Sequence, residues 1–224
     1  KMKTKKILVV APHPDDETLG VGGTMAKLAS QGHEVHVLIV SGHLPPLYSP
    51  KDYEISVNEA HRALDILGVS NSKFLEIPTT MISDMPLHKL NKLIIEMVSN
   101  VKPHMVFCPF PDRHIDHRLV FDSLMVATRP IGVGKNIEII AAYETLSETH
   151  WNAPHIEPNF TPNWIIDITD NIEKKLKALR CYKSQISEFP NPRSIEAVES
   201  LAKFRGTQAG FGFGEGMHII RKIS

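Results

Sequence analysis

Short apolar runs alternate along this chain with stretches whose apolar residues recur every three or four positions. That alternation is the mark of βαβ units, and it narrows the possible folds more than any other feature of the sequence. "KILVVAP" (6–12) reads as a strand buried on both faces. "TMAKLASQG" (24–32) reads as a helix stopped at Gly32, and "EVHVLIV" (34–40) as a second strand. The crossover between the two strands is expected to be right-handed. The pattern continues with a helix over 54–69, a strand over 73–77, a helix over 87–101 ended by Pro103, and a strand over 104–110. Further on it predicts a helix over 118–128, strands over 137–144 and 164–169, and closing helices over 171–186 and 194–208. No repeat, low-complexity segment or shift in composition interrupts it. The reading is one α/β domain over residues 1–224, with a Rossmann-like, mostly parallel sheet and helices on both faces.

A chain of 224 residues with 42% hydrophobic and 22% charged content buries a sizeable core. Its 25 basic and 25 acidic residues cancel. That balance argues against a general nucleic-acid or anionic-membrane partner, while leaving room for a local basic patch. No apolar stretch approaches the roughly 18 residues of a membrane span. The apolar run after "KMKTKK" is too short for a signal peptide and is broken by Pro12 and His13, so the cytoplasm is the expected location. Cys108 and Cys181 lie far apart without a CxxC pattern and read as thiols of a reducing compartment. The stretch over 145–163 has three prolines and no periodicity. It is expected to be a functional loop, ordered by Trp151 and Trp164 and walling a pocket.

Ligands of open α/β sheets bind beyond the carboxyl ends of the strands, and two segments put metal-ligating side chains there. One is His13-Pro14-Asp15-Asp16-Glu17, after the first strand; the other is His114-Ile115-Asp116-His117, after the strand over 104–110. His13 and Asp16 are three apart, as are His114 and His117, so either pair converges if the backbone makes one helical turn. Two imidazoles and a carboxylate are a common ligand set for catalytic zinc, with a position left for water. Such chemistry also needs a carboxylate to take the proton of that water and a donor for the leaving group. Spacing leaves open which of Asp15 and Asp16 is ligand and which base, and the same choice stands between His114 and His117. Each cluster has a plainer reading by itself. Pro-Asp-Asp-Glu is a turn with an acidic helix cap, HxxH a surface pair, and "GVGG" close packing of helix on strand. Two clusters after two buried strands, together offering ligands, base and acid, outweigh those readings.

"APHPDDETLGVGGT" (11–24) followed by "PDRHIDHRLVFD" (111–122) resembles the PIG-L/LmbE-like family of zinc-dependent N-deacetylases, which includes glucosaminyl-inositol and bacillithiol-pathway deacetylases. "EAHRALDILGV", "ALRCYKSQI" and "LAKFRGTQAGF" extend the likeness over nearly the whole chain. The resemblance implies that His13, Asp16 and His117 hold the metal and that Asp15 is the general base. It implies that His114 supports the oxyanion or protonates the departing amine, with Asp116 as its partner. It further implies water attack on an acetamide, an N-acetylated sugar or glycoconjugate as small-molecule partner, and a homo-oligomer, trimer or hexamer.

Two departures fall where a substrate is read. Many relatives carry arginine where this chain has Ser56, and a "TxGExG"-like loop where it has "SGHLPP", leaving a place for His43 at the site or in solvent. The rival readings are another metal-dependent hydrolase, such as a phosphoesterase with a second metal, and a non-catalytic module binding nucleotide at the glycine-rich turn.

Overall fold

A computed structural model describes residues 3–224. Seven strands form one sheet: β1 (Lys6–Ala11), β2 (Glu34–Gly42), β3 (Asn71–Pro78), β4 (Met105–Pro109), β5 (Ile139–Tyr143), β6 (Trp164–Asp167) and β7 (Gly214–Lys222). Their order is β3-β2-β1-β4-β5-β7-β6. The first five strands are parallel, with Ile7 opposite both Val35 and Met105, and β7 runs antiparallel between β5 and β6. The helices are α1 (Asp16–Ser30), α2 (Pro50–Leu67), α3 (Leu87–Val101), α4 (Ile115–Ala127), the single-turn α5 (Leu146–Thr149), α6 (Ile172–Leu179) and α7 (Ile195–Thr207).

β1 is apolar throughout because both its faces are covered. Ile7, Val9 and Ala11 enter the core beneath α1, α2, α6 and α7, whereas Leu8 and Val10 enter the core beneath α3 and α4. The mostly parallel sheet with helices on both faces is therefore as expected. Among the described residues no helix is long and apolar enough to cross a membrane.

Three elements differ most from the sequence reading. α1 starts at Asp16, eight residues before the apolar period becomes visible, and is kinked at Val21 (φ −134°, ψ 20°). Its glycines admit that early start: a Cβ on Gly20 would lie 2.1 Å from the Tyr143 ring, and one on Gly23 2.7 Å from Ile168. α6 ends at Leu179 rather than running on to Ile186. The chain beyond it is drawn into tertiary bonds, Tyr182 to Glu17 and Ser184 to Glu59. β7, rich in glycine and charge, escaped prediction because packing rather than period makes it a strand. Its Glu215 carboxylate is buried and accepts from Gly23 N–H (2.9 Å), Thr24 N–H (2.8 Å), Thr24 Oγ1 (2.6 Å) and Lys175 Nζ (2.6 Å). The kinked helix is thus clamped to the far side of the sheet.

Lys175 and Glu215 are both almost fully buried, so removing one charge strands the other in a dry core. Glu215→Ala is expected to destabilise the protein by about 3–5 kcal/mol in urea unfolding, and Glu215→Gln combined with Lys175→Met by much less. Equal losses in the single and the double variant would show that the pair is not what clamps α1.

Candidate metal centre

Because β1 and β4 are parallel neighbours, their carboxyl ends lie side by side, and the chain leaves each tip straight into a helix. From β1 the turn 12–15 leads into α1; from β4 the segment 110–114 leads into α4, which His114 caps. The two ligand clusters of the sequence therefore meet. His13 Nδ1 lies 3.0 Å from Asp16 Oδ2, and His117 Nε2 lies 3.3 Å from the same oxygen. The rings of His13, His114 and His117 sit 4.6–5.6 Å apart, centre to centre.

Two further carboxylates orient the imidazoles. Asp112, buried, accepts from His117 Nδ1 (3.0 Å), Thr149 Oγ1 (2.9 Å) and, through its other oxygen, His114 N–H (3.0 Å). Asp116 accepts from His13 Nε2 (2.9 Å) and Thr80 N–H (2.8 Å). Each bond engages the nitrogen facing away from Asp16, so both remaining nitrogens are turned toward that carboxylate. His117 Nε2 is buried there without a hydrogen-bond partner. Two imidazole nitrogens and a carboxylate oxygen that lie within 4.8 Å of one another fit a divalent cation. His13, His114 and Asp116 make a second such group, which shares His13 with the first.

The electrostatics say the same. Burial lowers both His13 and His117, but hydrogen bonds from Asp116 and Asp16 raise His13 to about 9. The Asp16 charge and the Asp112 bond raise His117 to about 10. Asp16 itself is held well below the usual carboxylate range by His117 and His13, against the effect of burial. Such a pocket demands positive charge, as protons or as a cation.

Asp15 occupies the N-cap position of α1, yet its side chain makes no cap bond, contrary to the plainer reading of Pro-Asp-Asp-Glu. Its backbone sits at φ 115°, a strained region for a non-glycine residue, and its N–H donates to Glu17 Oε2 (3.1 Å). Burial pushes its carboxyl up to about 8, with Arg193 pulling the other way. Glu17 is buried too and accepts from Thr18 Oγ1 (2.7 Å) and the Tyr182 hydroxyl. His114 is lowered to about 4 by burial and by the neighbouring His13 and His117. Its Nδ1 accepts from Asp116 N–H (3.1 Å), so the neutral ring carries its proton on Nε2.

One implied role changes. Asp116 meets His114 only through its backbone N–H; its carboxylate serves His13. The segment over 145–163 touches the centre only at its start, through Ser147, Glu148 and Thr149, whereas Trp151 is 61% exposed and anchors nothing. His43 faces an open cleft beside the centre, where its Nδ1 accepts from Gln185 Nε2 (3.3 Å). Ser56 is buried and donates to Tyr53 O (2.9 Å), away from that cleft. Asp112, Glu17 and Arg193 are the contributors that sequence reasoning left without a role. Asp112 stands five before His117, a spacing with no helical meaning, and Arg193 lies in a proline-flanked turn with no pattern at all.

A mostly parallel sheet with a His–Asp–His pocket at the tips of two neighbouring strands defines an α/β enzyme with a metal-ready centre. The family model described as "PIG-L: GlcNAc-PI de-N-acetylase" matches residues 8–128, more than half of the chain, and the chain belongs to that family. It is 28% identical to the diacetylchitobiose deacetylase of Thermococcus kodakarensis, over 98% of this chain and 84% of that protein. The solved N,N'-diacetylchitobiose deacetylase of Pyrococcus horikoshii superposes with a TM-score of 0.76 at 26% identity, covering 97% of this chain and 84% of that one. GalB, the 4-carboxy-2-hydroxymuconate hydratase of Pseudomonas putida KT2440, superposes at 0.80 with 20% identity over 99% and 98% of the two chains. The fold thus hosts more than one chemistry, and activity has to be argued from the site.

Asp112→Asn keeps the shape but offers an amide that can donate toward His117 Nδ1. It is expected to lower metal affinity about 10–100-fold in chelator competition, with the far-ultraviolet circular dichroism unchanged. Unaltered affinity would mean that Asp112 does not orient the ligand.

Proposed function

We propose that this protein is a zinc-dependent de-N-acetylase that hydrolyses the acetamide of an N-acetylated amino sugar, free or attached to a glycoside, nucleotide or lipid carrier. The observation that carries the reading is the convergence of His13, Asp16 and His117 beside the buried carboxyl of Asp15. Membership of the PIG-L family and the likeness to diacetylchitobiose deacetylases support it.

In this reading His13, Asp16 and His117 hold the ion. When bound, zinc acidifies a water molecule and polarises the amide carbonyl. Asp15, next in sequence to the ligand Asp16, takes the proton of the attacking water. His114, neutral and carrying its proton on Nε2, donates a hydrogen bond to the oxyanion, and the proton that Asp15 took from water passes to the departing nitrogen. Asp116 keeps His13 in the tautomer that leaves Nδ1 free, and Asp112 does the equivalent for His117. The C–N bond breaks, the acyl carbon keeps the water oxygen as acetate, and the nitrogen leaves as a free amine. No covalent intermediate with the protein is needed. The two candidate ligand groups share His13, which favours a one-metal amide hydrolase over a two-metal phosphoesterase.

Asp15→Ala is expected to reduce acetate release from N-acetylated sugars by about 10²–10⁴-fold while zinc content stays near that of the parent. Turnover surviving the substitution would remove Asp15 from the role of base. Dialysis against a chelator should abolish acetate release, and added zinc should restore it. Full activity in exhaustively stripped protein would exclude the metal from the reaction.

A further inference from the structure

The end of the sheet remote from the metal centre gathers positive charge that the proposed reaction does not use. β1, β4 and β5 begin there, and β7, being antiparallel, ends there. Ile7, Met105, Ile139 and Lys222 stand in one row across the four strands. The six residues of β1 separate this edge from the ligand turn, a span of about 20 Å. Over the edge opens a cleft of about 990 Å³, at the top of the range of about 300–1,000 Å³ for small-molecule sites.

Each of the four strands brings at least one cation to it. Lys3, Lys5 and Lys6 come from the start of β1, Lys102 from before β4, Lys135 from before β5, and Lys222 from β7. The whole chain has 25 basic and 25 acidic residues, yet here six lysines face one carboxylate side chain, that of Glu138. Lys5 Nζ pairs with Glu138 (2.5 Å), and Lys6 Nζ stands 4.0 Å from Glu34. Lys3, Lys102, Lys135 and Lys222 have no ion-pair partner among the described residues. Like charges drawn together in this way repel one another, and a bound anion relieves the repulsion.

The floor of the cleft is fixed by its own hydrogen bonds. His104 N–H donates to Lys6 O (2.8 Å), Glu138 N–H to His104 O (2.7 Å) and Ile223 N–H to Glu138 O (2.8 Å). Lys6 N–H donates to His104 Nδ1 (3.1 Å), so that imidazole carries its proton on Nε2. This Nε2–H has no acceptor among the described residues. The cleft therefore presents unpaired ammonium groups and an oriented imidazole donor.

That lining selects among anions. No Phe, Tyr or Trp is present to stack a nucleobase. Ile139 and Ile223 are its only apolar residues, too few to seat a bilayer surface. Separated lysines act as point charges that suit several phosphate groups better than one planar carboxylate. We propose that this cleft binds a compact anion with several phosphate groups and no nucleobase, held by Lys102, Lys135, Lys222 and the His104 Nε2–H. The bound anion ties β1, β4, β5 and β7 together at the end opposite the metal. This site is independent of the reading under Proposed function.

The test is calorimetry of the zinc-loaded protein with tripolyphosphate, with a metal-free sample run beside it to subtract chelation of zinc. The expected result is one equivalent bound in both samples. Affinity should fall at least tenfold in a triple variant, Lys102→Gln, Lys135→Gln and Lys222→Gln, whose three side chains are exposed. A control triple, Lys89→Gln, Lys174→Gln and Lys177→Gln, removes the same charge from exposed positions outside the cleft and should bind within about twofold of the parent. No binding by the parent overturns the proposal, as does binding that survives the cleft triple. An equal loss in both triples would assign the effect to net charge and overturn it too. So would cosedimentation of the parent with phosphatidylglycerol vesicles in the absence of tripolyphosphate binding, which would make the face a membrane contact.

Discussion

Asp16 is the pivot of the molecule. One of its oxygens faces an imidazole nitrogen from each of two chain segments more than a hundred residues apart, in a pocket almost closed to solvent. Neither segment could deliver its histidine without the parallel pairing of β1 with β4, and that pairing depends on strands apolar on both faces. Around this point buried acids form an outer ring: Asp112 behind His117, Asp116 behind His13, and Glu17 behind the backbone of Asp15. Burying so many carboxylates is costly unless each is hydrogen-bonded or matched by positive charge, and here each has a named partner.

The fold was readable where local period and global packing agree. β1, β2 and β4 are continuous apolar runs because helices cover both faces, and α3 shows its buried stripe at Leu90, Ile94, Met97, Val98 and Val101. Reading failed where tertiary contacts override local preference. β7 carries glycine, histidine, arginine and lysine through its length and is a strand because β5 and β6 flank it. The first turns of α1 hold glycines that local propensity counts against a helix, yet they are what lets the helix approach Tyr143 and Ile168.

The site shows the same division. His13, Asp15, Asp16, His114, Asp116 and His117 stand out because residues of metal-ligating type are crowded after a buried strand. What each faces is a matter of geometry. Asp116 lies two residues from His114 and 103 from His13, and its carboxylate chooses the distant ring. Arg193 reaches Asp15 from a turn that only tertiary structure brings near.

The clamp between β7 and α1 has an outcome at the opposite end of the helix. Glu215 grips Gly23 and Thr24, and Lys175 carries that grip onward to Leu19 O, one turn from the residues that frame the pocket. The antiparallel strand β7 and the ligand-bearing turn 12–15 consequently belong to one cooperative unit. Loosening β7 loosens the cage, and filling the cage makes β7 harder to detach.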